Sequence, residues 1–120
     1  MNPDTEVIYF GSTNEWRDWL AKNGETQTEL WVGLYKKDSG KTGITYLEAV
    51  EEGLCFGWID GLTKRVDEAS YKIRFTPRKP KSNWSATNIK RVDALIKNGK
   101  MTPVGLKHIE VAKSHGRWTV

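Results

Sequence analysis

A single cysteine among 120 residues excludes an internal disulfide and a zinc site built from thiolates alone. Histidine is nearly as scarce. His108 and His115 are the only two, seven apart on one predicted helix, with no HExxH pair, Cys/His cluster or EF-hand loop around them. The sequence therefore implies neither a metal nor another cofactor. Gly105 and Gly116 stand alone, and no glycine-rich phosphate loop occurs. No apolar run reaches the roughly 18–20 residues of a membrane span, so no membrane role is expected. The first residues, Met1 to Glu6, lack the basic and apolar blocks of a secretory signal. With one thiol and no signal, a reducing, cytoplasmic setting is expected.

What is present suits one folded domain over residues 1–120. Hydrophobic residues make up 38% and charged residues 28%, and six Trp, four Tyr and three Phe supply large side chains for a core. The charge is unevenly placed. Residues 1–60 hold five Lys/Arg against eleven Asp/Glu, and residues 61–120 hold fourteen against four. A net +4 thus conceals halves of −6 and +10, which suits an anionic partner for the basic half or attraction between the halves.

Local patterns predict the order (β)αβαββαα, an α+β fold with a small, largely antiparallel sheet, a β-hairpin and about four helices. Ser12 and Glu15 form a capping-box pattern ahead of Trp16, Trp19 and Leu20, with Gly24 expected as a left-handed helix end. Glu29 to Lys37 alternates with apolar residues on both faces, as in a central strand covered twice. Thr45 and Glu48 repeat the capping pattern for a helix to about Leu54, with Glu48, Glu51 and Glu52 expected in water. Ser85 opens a third helix with Ile89, Val92, Leu95 and Ile96 inward, and Gly99 closes it. Thr102-Pro103 starts a fourth, with Leu106, Ile109, Val111 and Ala112 on its apolar side.

Between the second and third helices, a turn at Asp67–Ser70 predicts a hairpin. A four-residue turn sets Val66 against Tyr71, Lys64 against Ile73, Leu62 against Phe75 and Asp60 against Pro77 on one face. The other face then carries Arg65 with Lys72, Thr63 with Arg74, Gly61 with Thr76, and Ile59 near Arg78. Basic side chains opposed in this way repel, so they need an anion or neighbouring carboxylates. The same polarity continues through Lys79, Lys81, Ser82 and Trp84 to the helix start at Ser85, where free N–H groups and the dipole attract anions. Two readings follow. Arg74 and Arg78 grip an external anion, or they pair with Asp60 and carboxylates of the acidic half. Cys55 lies in an apolar stretch and reads as a small core residue, not a nucleophile.

The run Glu52-Gly53-Leu54-Cys55-Phe56-Gly57-Trp58-Ile59-Asp60-Gly61, with Tyr71-Lys72-Ile73-Arg74-Phe75-Thr76-Pro77-Arg78-Lys79-Pro80-Lys81-Ser82-Asn83-Trp84-Ser85, resembles the YdeI/OmpD-associated, or bacteriocin-protection, family. Asn88-Ile89, Arg91-Val92 and Asn98-Gly99-Lys100-Met101 are similar to it as well, and the likeness covers about residues 28–118. The resemblance implies a bacterial stress or bacteriocin-protection role with no established reaction. It also implies a further C-terminal helical region, so this chain reads as a short member or one cut short. Trp58, Asp60, Arg74, Thr76, Arg78, Ser82, Trp84 and Ser85 would form the family's signature patch.

The leading expectation is a binding domain, not an enzyme. Arg74 and Arg78 clamp an anion, Lys79 and Lys81 add field, Ser82 and Ser85 donate, Trp58 or Trp84 stacks, and Asp60 and Thr76 complete the patch. Its partner would be an anionic small molecule or an acidic protein. The alternatives are single-stranded nucleic-acid binding, an enzyme using Asp60 as base with Arg74 holding substrate, and a structural interaction module.

Overall fold

Side-chain caps decide where the helices begin. The computed structural model describes residues 7–80, 82 and 84–118. The Ser12 hydroxyl accepts the Glu15 N–H at the start of α1 (Thr13–Asn23). Thr45 and Glu48 exchange both capping-box hydrogen bonds at the start of α2 (Tyr46–Leu54). Ser85 caps α3 (Ala86–Lys97), and Thr102 caps α4 (Pro103–Ser114), which carries proline in its first turn. Each cap satisfies a donor that a helix start otherwise leaves unpaired.

The strands β1 (Val7–Ile8), β2 (Leu30–Tyr35), β3 (Trp58–Arg65) and β4 (Ser70–Pro77) form one sheet in the order β1-β2-β4-β3. Two long antiparallel ladders are joined by a two-residue parallel one, so the fold is α+β with a small sheet. Among the described residues no helix is long and apolar enough to cross a membrane. Val32, Leu34, Ile73 and Phe75 meet the helices in a core centred on Trp16 and Trp58, both fully buried. Trp16 packs edge-on against Phe75 and donates its indole N–H to the Ala49 carbonyl at 2.9 Å. Trp31 is buried as well, but outside that core, on the opposite face of β2. There the cover consists of side chains: Tyr9 lies over Gly33 and stacks on Tyr35, while Lys64 and Lys72 lie over Trp31.

Several local expectations change. The hairpin is out of the expected register, because Arg65 pairs with Tyr71, Lys64 with Lys72 and Thr63 with Ile73. A bulge between Asp60 and Thr63 then brings Asp60, not Leu62, opposite Phe75, and Leu62 is left 61% exposed. The extra residue bends β3 and releases Leu62 from the core face. Glu52 is buried and meets Arg17 at 3.0 Å, and Ile96 and Leu106 are exposed. Gly24 is right-handed (φ −61°), so handedness does not explain it. A Cβ there would lie 2.5 Å from the Leu20 carbonyl oxygen, so close approach is the reason for glycine.

Candidate functional site

A concavity forms where three non-contiguous segments converge. It has a volume of about 450 Å³. One wall is the loop Gly24–Thr28 after α1. A second is the end of β4, Pro77 to Pro80, with Trp84 beside it. The third is one face of α4, Val104, Lys107, His108 and Val111, whose spacing brings them onto one side of the helix.

Each wall is held by identifiable contacts. The Trp58 indole N–H donates to the Gly24 carbonyl at 3.0 Å, tying the first loop to the core. The Arg78 N–H donates to the Gly57 carbonyl at 2.8 Å, which fixes the chain as it leaves β4. Buried Trp84 lies under the Arg78 guanidinium, whose carbon is 3.9 Å from the ring centre. Its backbone N–H donates to the Arg117 carbonyl, and its ring tilts against Trp118, so the chain beyond α4 braces it. The start of α4 is pinned to the turn before β3, because the Thr102 hydroxyl donates to the Cys55 carbonyl. Gly57, with φ 78°, lets the His108 ring lie against that turn.

The charges lining this pocket are mostly positive: Arg78, Lys79 and Lys107 against Glu25. Burial holds the Arg78 guanidinium below its ordinary value, opposed by attraction to Asp60. Burial, then repulsion from Arg78 and Lys107, holds the His108 imidazole below its ordinary value, with Glu25 acting the other way. His108 is therefore neutral near pH 7, in a site where an added negative charge favours its protonation.

Of the residues expected at the patch, the structure brings Arg78, Lys79 and Trp84 together in this pocket. Trp58 serves it from beneath, buried in the core. Arg74 lies on the sheet face, where its Nε donates to Glu29 at 2.6 Å, so the carboxylate of the acidic half takes the place assigned to an external anion. Asp60 accepts the Tyr46 phenol proton at 2.7 Å and does not line the pocket. That hydrogen bond, followed by burial, raises the Tyr46 phenol above its ordinary value. Thr76 is half-buried opposite Ile59 on β3. Ser85 is used as the α3 cap, and the Ser82 N–H donates to the Lys79 carbonyl. Lys81 lies outside the described residues. Burial pushes the Cys55 thiol up, against the pull of Arg17, which suits a core thiol.

Sequence reasoning missed Glu25, Thr26, Lys107 and His108 as wall residues. The i, i+3, i+4, i+7 set on α4 was the available signal, and it reads equally as a solvated face. Because the Arg74–Glu29 pair is partly exposed, Arg74→Ala is expected to cost less than about 1 kcal/mol in urea unfolding. It should leave ligand binding in the pocket unchanged.

Fold and pocket together define a small α+β domain with a basic cleft that has Trp84 in its lining. The chain belongs to the family described as a domain of unknown function, DUF8412, whose profile matches residues 8–108 and takes in every pocket-lining residue except Val111. No curated protein and no solved structure matches the chain.

Proposed function

We propose that the protein is a binding domain for a small anion bearing a planar or apolar portion, held between Arg78, Lys107 and Trp84. The observation that carries this reading is the pocket's composition: three cationic side chains and one carboxylate around about 450 Å³, with an indole as part of the wall. That volume lies within the roughly 300–1,000 Å³ typical of ligand sites. The cations supply charge-assisted hydrogen bonds to a phosphate or carboxylate, and the apolar residues Pro77, Pro80, Val104 and Val111 exclude water around the rest. The YdeI/OmpD-like motifs support placing such a domain among bacterial stress-protection proteins, since their second segment supplies Arg78, Lys79 and Trp84.

Calorimetric titration with adenosine 5′-monophosphate, a sugar phosphate and an aromatic carboxylate tests the proposal. At least one should bind and raise the melting temperature, and Arg78→Ala or Lys107→Ala should weaken it by about 10–100-fold, the value of a hydrogen bond to a charged group. Unchanged melting with every probe sinks it.

A pH dependence follows from His108. Its folded-state value lies below the unfolded one of about 6.5, so its contribution to stability is complete above that pH. The contribution is lost as pH falls from there through the folded value, because the unfolded chain takes up the proton first. Inorganic sulfate does not itself titrate in this range. Its affinity for the pocket should rise as pH falls from about 7.5 to 5.5, with proton uptake on binding. In His108→Gln that rise should disappear, and sulfate binding of equal slope in both proteins excludes the imidazole as its source.

A further inference from the structure

We propose that the sheet face around Trp31 is a second site, one that binds the phosphate backbone of single-stranded nucleic acid. It uses none of the pocket residues. Lys64 and Lys72 are directly opposed across β3 and β4, and their ammonium groups lie 5.8 and 4.6 Å from the centre of the same Trp31 ring. Two like charges set opposite each other on a sheet repel, and a shared anion reverses the sign of that interaction.

Among the described residues the ion pairs are Arg17–Glu52 and Arg74–Glu29, so Glu29 is already engaged and neither lysine has an acidic partner. Farther along the same face, Lys41 lies 5.5 Å from the Tyr35 ring centre, and Tyr35 stacks on Tyr9 at 4.9 Å. Asp67, at the hairpin turn, feels the charge of Lys41 but accepts hydrogen bonds from the Ala69 N–H and the Ser70 hydroxyl.

The result is a row of aromatic rings along β2 with ammonium groups above it. Alternate residues of a strand are about 6.6 Å apart, so the row is an extended platform, not a point site. Backbone phosphates would draw the lysines upward from the rings, and half-buried Tyr9 and Tyr35 provide stacking surface for bases. Charge with interleaved aromatic rings is the chemistry that holds unpaired strands without reading their sequence. An acidic peptide matches the charge but makes no use of the rings.

The test is fluorescence anisotropy with a labelled oligothymidylate of about 15 nucleotides, titrated between about 50 and 200 mM salt. The wild type should bind, and Lys64→Ala/Lys72→Ala should lose about tenfold in affinity or more. Its salt slope should fall by about 1.4, the contribution of two phosphate contacts on a single strand. Lys64→Gln/Lys72→Gln, which keeps the stems over Trp31, should behave alike, with circular dichroism melting to verify folding. Lys90→Ala/Lys97→Ala removes the same charge from exposed positions of α3 and should change affinity by less than about twofold. Equal losses in both double variants, no binding at the lowest salt, or equal competition by polyglutamate would each overturn the proposal. Loss of adenosine monophosphate binding at the pocket would not affect it.

Discussion

Trp58→Ala is expected to lower the free energy of unfolding by about 3–5 kcal/mol, the cost of deleting a buried tryptophan from a packed core. The indole is fully buried, stands perpendicular to Trp19 with ring centres 5.5 Å apart, and donates to the Gly24 carbonyl. Trp58→Phe separates the two contributions. It retains most of the packing but leaves that carbonyl without its donor, at about 1–3 kcal/mol. Because Gly24 begins the first wall of the pocket, the phenylalanine variant should also speed amide exchange across Thr26–Thr28 and weaken anion binding. Urea unfolding measures the first effect and hydrogen exchange the second. A phenylalanine variant as stable as the wild type would show that the indole N–H does not anchor the loop.

The second large effect belongs to Gly57→Ala, expected to cost about 2–5 kcal/mol. Part of this is backbone strain, since φ is 78° at this position. The rest is collision: a Cβ would lie 2.2 Å from Cδ2 and 2.4 Å from Cγ of His108. The ring must leave the pocket wall, so sulfate binding should lose its pH dependence along with the stability. A double-mutant cycle with His108→Ala apportions the loss. Removing the ring should recover the collision and leave about 1–2 kcal/mol of strain. Strict additivity of the two variants would mean that the ring and the turn do not press on each other.

These variants act where distant segments meet, and that is where sequence reading was weakest. The expected pairing of Leu62 with Phe75 failed on a one-residue shift at the turn followed by one extra residue in β3. A bulge leaves no reliable mark in composition, and one residue of slip changes every partner beyond it. The register at the turn, not the bulge, set Lys64 against Lys72 over Trp31, an arrangement no residue spacing announced. Arg74 found Glu29, 45 positions earlier in the chain, because β2 lies beside β4. The pocket itself needed α4 to return to the loop after α1. Arg78, Lys79 and Trp84 were legible as basic and aromatic neighbours, whereas Lys107 and His108 became wall residues only through packing.

By itself the amino-acid order determined the succession of strands and helices and the places where helices begin. Caps such as Thr45 with Glu48 operate within one turn of chain and need no distant partner. It also determined that positive charge gathers in the second half. The tertiary structure alone decided which cations are neutralised, which share a ring and which enclose a cavity. Those outcomes depend on strand register and on helices meeting loops far away in sequence, and their energies come from contacts that no local stretch contains.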